Sequence, residues 1–265
     1  MQTGNGIKNK KNIKCDIDTY SKIKKTEGTL RLNRFIANSG VCSRRKADEL
    51  IKKGLITVNG NVVRELGSKV KIDDDVRYRN RKLSPEKKVY ILLNKPKGYV
   101  TTTSDPHAER TVMQLVGSKP GVRLWPAGRL DKNTTGVMLL TNDGELAKKL
   151  THPSFEKKKI YHVYLNKDVT KGDMEAIVNG IDIGGKIVSA DAIAYADNND
   201  KSQVGIEIHS GENRIIKRMF ERLGYKVLKL DRVYFAGLTK KNLPRGEWRY
   251  LTQKEIIMLK RGAYN

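Results

Sequence analysis

The residue most out of keeping with its surroundings is a carboxylate. Asp131 stands in Pro126-Ala-Gly-Arg-Leu-Asp-Lys-Asn-Thr-Thr-Gly-Val-Met-Leu-Leu-Thr-Asn-Asp-Gly, between Gly128 and Gly136, with Arg129 and Lys132 close by. The cations favour its ionised form. The glycines permit close approach of backbone or ligand. An apolar strand, Val137 to Leu140, follows at once, and loops held by a strand are where catalytic groups commonly sit. Spacing alone favours a loop aspartate that makes a local turn or salt bridge.

A second group lies in Gly211-Glu-Asn-Arg-Ile-Ile-Lys-Arg-Met. On a helix over 213–224, Ile215, Ile216, Met219, Phe220 and Leu223 share one arc, and Arg214, Lys217, Arg218 and Arg222 the opposite one. An amphipathic core helix with a solvated basic face accounts for that pattern, Arg222 included. Tyr161 falls in the alternating run Ile160 to Leu165, where sheet packing suffices to explain it. The four histidines have no metal-ligand spacing, His152 before Pro153 reads as structural, and Trp125 and Trp248 read as core.

The elements that must position these groups can be traced along the chain. Residues 1–28 read as a flexible basic tail, either an RNA arm or a solubilising extension. Leu32, Phe35 and Ile36 predict a short helix ending at Gly40. Ser43 caps a second helix with Ala47, Leu50 and Ile51 inward and Gly54 as its stop. Asn59-Gly60 between two β-branched runs predicts a type I′ hairpin. Arg44, Arg45 and Lys46 fill the first turn of the second helix, where cations oppose the helix dipole. Phosphate contact explains that choice, and a merely solvated basic turn is the alternative. Residues 29–80 thus form one compact unit, with fourteen Lys or Arg against six Asp or Glu from Thr29 to Pro85.

Residues 81–88, charged and carrying Pro85, read as a linker. Residues 89–262 form the second unit, in which strands outnumber helices. Strands are expected at Val89 to Leu93, Val137 to Thr141, Ile160 to Leu165, Val204 to Ile208, Lys226 to Leu230 and Arg232 to Phe235. A short helix follows Asn142-Asp143-Gly144, and Thr252 with Glu255 forms a capping box for the last helix. Few strand pairs are spaced for βαβ crossovers, so the fold class is α+β with a mainly antiparallel or mixed sheet.

Composition bounds the partner. The 265 residues carry 53 Lys and Arg against 29 Asp and Glu, a formal net charge of +24. Such a field calls for a polyanion, with nucleic acid ahead of an anionic membrane surface. No apolar run approaches the roughly 20 residues that span a bilayer. Cys15 and Cys42 offer neither a disulfide framework nor a metal site. The N-terminus lacks the apolar core of a secretory signal, so a reducing cytoplasm is expected.

Leu30-Arg-Leu-Asn-Arg-Phe-Ile-Ala-Asn-Ser-Gly-Val-Cys-Ser-Arg-Arg-Lys-Ala-Asp-Glu-Leu-Ile, followed by Gly54-Leu-Ile-Thr-Val-Asn-Gly, resembles an S4-type RNA-binding domain. The Asp131 stretch resembles the signature of pseudouridine synthases of the RsuA and RluB kind: Gly-Arg-Leu-Asp, two variable residues, Thr-Thr/Ser-Gly, an apolar strand, Thr-Asn-Asp-Gly. Asn94-Lys95-Pro96-Lys97-Gly98 is similar to that family's first motif. Lys159-Ile160-Tyr161-His162-Val163 is similar to the strand with its base-contacting tyrosine, and Gly211 to Met219 to its last motif. The likeness covers Leu30 to about Leu259.

The resemblance implies an S4-like domain followed by a pseudouridine synthase domain, isomerising a uridine of ribosomal RNA without metal or redox cofactor. It implies that Asp131 is the catalytic carboxylate, that Tyr161 stacks on a flipped uracil, and that Ile216 walls the same base, with Arg129 also at the substrate. The family normally has Arg where Lys217 stands, paired with the catalytic aspartate. Either Lys217 serves as a point charge there or Arg218 substitutes; Lys217 is favoured. Arg44, Arg45 and Lys46 would grip RNA. The expected partner is ribosomal RNA, of the large subunit by likeness to RluB-type members, or a ribosome assembly intermediate, with no membrane and the protein a monomer. The rival reading is a non-catalytic ribosome-binding or assembly factor of the same fold, which loss of Asp131 would have favoured. An S4-domain synthetase is set aside because no nucleotide-binding loop is seen.

Overall fold

The computed structural model describes residues 28–103, 105–118 and 121–263, so the tail reading, Gly28 apart, lies outside the described residues. The chain divides into two compact units, 1–85 and 86–265.

In the first unit, β1 (Leu30–Arg31) leads into α1 (Leu32–Asn38), whose Leu32, Phe35 and Ile36 are buried. α2 (Arg44–Lys52) begins on Ser43, whose hydroxyl accepts the Lys46 backbone N–H at 3.3 Å. Its buried face is Ala47, Leu50 and Ile51. The hairpin of β2 (Ile56–Val58) and β3 (Asn61–Val63) turns on Asn59 and Gly60, with φ of 51° and 85°, as a type I′ turn requires. β4 (Lys69–Val70) pairs with β1. β5 (Val76–Tyr78) and β6 (Arg81–Lys82) complete a four-stranded sheet in the order β3-β2-β5-β6. The sheet therefore runs into the segment read as a linker. Arg81 and Lys82 pair with Tyr78 and Arg77, and Leu83 is buried in the same core. Charge hid this strand, because an exposed edge strand has no apolar alternation to betray it.

The second unit opens with β7 (Tyr90–Lys95), buried throughout, then α3 (Val112–Val116), β8 (Trp125–Pro126) and β9 (Thr135–Thr141). α4 (Gly144–Thr151) is capped by Asp143 and precedes β10 (Lys159–Leu165) and α5 (Lys171–Asn179). β11 (Ile181–Asp182) and β12 (Ile187–Val188) form a small ribbon. β13 (Ala192–Tyr195), β14 (Gln203–Ile208), α6 (Ile215–Arg222), β15 (Val227–Phe235), β16 (Leu238–Thr239), β17 (Trp248–Tyr250) and α7 (Gln253–Arg261) follow.

One nine-stranded sheet organises the unit, in the order β13-β14-β10-β15-β9-β7-β17, with β16 on β15 and β8 on β9. Its pairings are antiparallel except β9 with β15, so the sheet is mixed and the fold α+β. Alternate residues serve two cores. Ile91, Leu93, Met138 and Leu140 face α6 residues such as Ile216 and Phe220, while Tyr90, Leu92, Val137 and Leu139 face Leu146 of α4 and Leu259 of α7. A sheet covered on both faces needs continuous apolar strands, which is why Val137 to Leu140 carries no alternation.

The parallel seam is unusually close. Gly136 (φ 108°) lies opposite Arg232, and a Cβ there would sit 2.1 Å from the Arg232 carbonyl oxygen and 2.6 Å from the Asp231 carboxylate. Only glycine lets β9 meet β15 this closely, five residues after Asp131. Lys226 to Leu230 and Arg232 to Phe235 are one strand rather than two. α6 is shorter than the predicted 213–224, because Arg214 takes a left-handed conformation (φ 53°, ψ 24°) at its N-cap. Among the described residues no helix is long and apolar enough to cross a membrane.

Candidate active site

Asp131 sits on the loop between β8 and β9, and that loop is tied from behind by a buried lysine. Lys95, at the end of β7, is fully buried. Its ammonium donates to the carbonyls of Pro96, Asp131, Lys132 and Thr134 at 3.2, 3.0, 3.1 and 2.8 Å. The Thr134 N–H closes the turn onto the Asp131 carbonyl at 3.1 Å, and the Gly98 N–H reaches the Lys132 carbonyl at 2.9 Å. Thr101 donates its hydroxyl to the Leu130 carbonyl at 2.7 Å. The carboxylate-bearing loop is thus held through its main-chain carbonyls, chiefly by the Lys95 ammonium and the Thr101 hydroxyl.

Burial pushes the Lys95 ammonium down to about 8, with Asp131 acting against the shift and Arg245 adding to it. Lys95 is charged at neutral pH and loses its proton as pH rises through about 8. A neutral amine has fewer donors for four carbonyls and turns a lone pair towards them. Single-turnover rates of the isomerisation that the motifs lead one to expect should therefore fall on the alkaline side of about 8. Lys95→Met should give a low rate without that descending limb. A wild-type rate flat to about pH 10 would show that the clamp does not govern the loop.

A second brace holds the seam. Arg245 forks onto Asp231 at 3.0 and 2.9 Å and donates to the Asn94 side-chain oxygen at 2.8 Å. Lys240 also pairs with Asp231, and the Thr135 hydroxyl donates to it at 3.0 Å. Burial alone would raise the Asp231 carboxyl, but Arg245 and Lys240 hold it below the usual range.

In front of the loop lies a cavity of about 150 Å³ whose wall includes Arg129, Asp131, Thr134, Lys159, Tyr161, Ile215, Ile216 and Arg232. Tyr161 projects from β10 and is 8% exposed; Ile216, on α6, is 3% exposed. Lys217, the next residue of α6, places its ammonium 3.2 Å from the Asp131 carboxylate. Arg218 points elsewhere and donates to the Ile183 carbonyl at 2.7 Å. Four of the predicted site residues, Arg129, Asp131, Tyr161 and Ile216, line this one cavity, and Lys217 reaches its carboxylate. Arg44, Arg45 and Lys46 belong to the other unit, exposed on the first turn of α2, with Lys46 paired to Glu49 at 2.7 Å.

Sequence reasoning missed Lys95, Thr134, Lys159 and Arg232 as parts of the site. Lys159 donates to the carbonyls of Lys157, His209 and Ser210 at 2.9, 2.6 and 3.2 Å, anchoring the loop before α6. Burial, helped by Arg232, pushes its ammonium down to about 8. Lys95 and Lys159 both lay inside motifs quoted above, and charged residues at strand ends flanked by apolar runs were the available signal.

A basic helix-helix-hairpin unit, joined in one chain to a mixed sheet that presents a carboxylate–lysine pair in a cavity, has the parts of an enzyme acting on RNA. Residues 89–222 match the RNA pseudouridylate synthase family and residues 30–76 the S4 domain. The chain is 40% identical over 233 residues to ribosomal large subunit pseudouridine synthase B of Bacillus subtilis, covering 87% of this chain and 95% of that one. It is 35% identical to the dual-specificity RNA pseudouridine synthase RluF of Escherichia coli, over 88% of this chain and 79% of the relative. A crystal structure of a pseudouridylate synthase aligns with a TM-score of 0.63 at 31% identity, covering 87% of this chain and 99% of that one. The chain belongs to the RNA pseudouridine synthase family, isomerases that act on RNA, and carries an S4 RNA-binding domain.

Proposed function

We propose that this enzyme converts a specific uridine of 23S ribosomal RNA to pseudouridine, with Asp131 as its catalytic carboxylate. The observation that carries the reading is the Asp131–Lys217 pair at 3.2 Å, at a cavity walled by Tyr161 and Ile216. The large-subunit assignment is supported by the name of the Bacillus subtilis relative.

The target nucleotide leaves its stack and enters the cavity. Asp131, beside the Lys217 ammonium, acts at the sugar, either by attack or by promoting a glycal. The bond from C1′ to N1 breaks. The uracil turns between Tyr161 and Ile216, and C5 bonds to C1′ as its hydrogen is lost and N1 regains a proton. Atoms and electrons balance within the substrate, so the reaction calls for no redox partner. Lys217 supports the carboxylate, and Arg129 contacts the substrate near it. The protein works as a monomer in the cytoplasm, on ribosomal RNA or an assembly intermediate. Pseudouridine mapping of ribosomal RNA from cells with and without the gene tests the substrate: one large-subunit position should disappear. An unchanged map would reject the assignment.

The first unit holds the RNA. Arg44, Arg45 and Lys46 occupy a helix start with no acidic residue in its first turn, where the dipole disfavours cations. Changing all three to Gln should flatten the slope of log K against log salt by about 2, on the order of 0.7 to 0.9 per lost phosphate contact. KM for ribosomal RNA fragments should rise, and the rate at saturating RNA should hold. A salt titration with single-turnover kinetics checks this. An unchanged slope would mean these cations are only a solvated turn.

A further inference from the structure

Two buried polar groups in the cavity wall lack a partner among the described residues: the Arg232 Nη2 and the Thr134 hydroxyl. Arg232 is 3% exposed and Thr134 2%. Leaving buried donors unmatched is costly, and native structures rarely tolerate it without a reason. The rest of Arg232 is firmly held. Its Nε donates to the Val137 carbonyl at 2.8 Å, and its guanidinium carbon lies 4.5 Å from the centre of the Phe235 ring. In register it pairs with Tyr161 on one side and Gly136 on the other. Directly paired residues share a face of the sheet, so Arg232 stands beside the ring assigned to the uracil.

The missing acceptor is best supplied by a base. Arg232 is too deeply buried to serve a backbone phosphate, which stays at a cavity mouth. Lys159, a partly buried cation of this wall, already spends its ammonium on three carbonyls, and Arg129 and Arg214, the other cations of the lining, are exposed, where a phosphate at the mouth can meet them. Uracil, in contrast, offers carbonyl acceptors on either side of a ring N–H. Resting on the reading of this cavity as the uridine site, we propose that Arg232 is a specificity-determining residue that donates to an exocyclic carbonyl of the flipped uracil, while the Thr134 hydroxyl takes the neighbouring N3–H. A site built to hydrogen-bond a group rejects a substrate that lacks it, because its own buried groups are then left unpaired. This assigns base selection to residues apart from the stacking tyrosine and the reacting carboxylate.

The test uses the full chain carrying Asp131→Asn, so that bound RNA is not turned over. Equilibrium binding is measured for a ribosomal RNA fragment with uridine, or an abasic nucleotide, at the modified position. Arg232→Met should reduce the preference for uridine over the abasic RNA about tenfold, leaving abasic binding and its salt slope unchanged. Arg232→Lys, which keeps the charge and one donating group, should retain part of that preference and guards against a folding defect in the Met variant. Equal weakening of both RNAs, or a flatter salt slope on abasic RNA, would overturn the proposal in favour of a structural or a phosphate-binding role. Tyr161→Ala is run alongside. If it lowers the preference and Arg232→Met does not, the base-reading role fails while the cavity stands as the uridine site. If neither does, the uridine site itself is misplaced.

Discussion

Asp131→Asn is expected to abolish isomerisation while RNA binding stays within about threefold of wild type. The substitution is nearly isosteric, and the loop it sits on is held through main-chain carbonyls by Lys95, which the change does not touch. What is lost is the anion. An amide can neither attack the sugar nor stabilise charge developing on it, and removing such a group typically costs more than about 10⁴ in rate. Tritium release from ribosomal RNA labelled at C5 of uridine measures this directly, since the C5 hydrogen leaves in every turnover. Release at the wild-type rate by the Asn variant would remove Asp131 from the mechanism.

The second large effect is expected at Lys217. Its ammonium is the cation that the structure brings to Asp131, and its side chain is only 17% exposed. Lys217→Met leaves the carboxylate without a partner and removes the positive charge from the reacting centre. Turnover should fall by about 10² or more, by the weight that a charged group at a reacting centre carries. Lys217→Arg keeps the charge and can fork onto the carboxylate, so it should stay within about tenfold of wild type. Arg218→Met should lower thermal stability, through its lost bond to the Ile183 carbonyl, more than the rate constant at saturating RNA. A reversed order, with Arg218→Met more damaging to chemistry than Lys217→Met, would mean that the working cation is the neighbour.

What the sequence disclosed follows from which signals are local. Asn59-Gly60, Ser43 and the Thr252–Glu255 pair act within a few residues of themselves, and each lies where expected. Tyr161, Val163 and Leu165 are buried on one face of β10, as their alternation required. The failures share a different cause. In sequence β15 reads as two strands, one ending before Asp231 and the next opening on Arg232, because this charged pair interrupts the run. Their partners, Arg245, Lys240 and the Val137 carbonyl, come from other elements, and only the folded sheet supplies them. Arg214 was placed on the basic face of a helix, yet it adopts the left-handed turn that starts α6. Neither α3 nor α5 was foreseen. In the site, Asp131, Tyr161 and Ile216 were legible through motif likeness. The role of Lys95 is not legible in sequence, because three of its four acceptors lie in a loop 36 to 39 residues away.

One measurement tests both the role of Asp131 and the identity of the substrate. Cells lacking the gene are complemented with the wild-type chain or with Asp131→Asn, expressed to equal levels, and pseudouridines in their ribosomal RNA are mapped. The wild-type chain should restore a position in large-subunit RNA and the Asn variant should restore none. Restoration of that position by the Asn variant would contradict the role of Asp131.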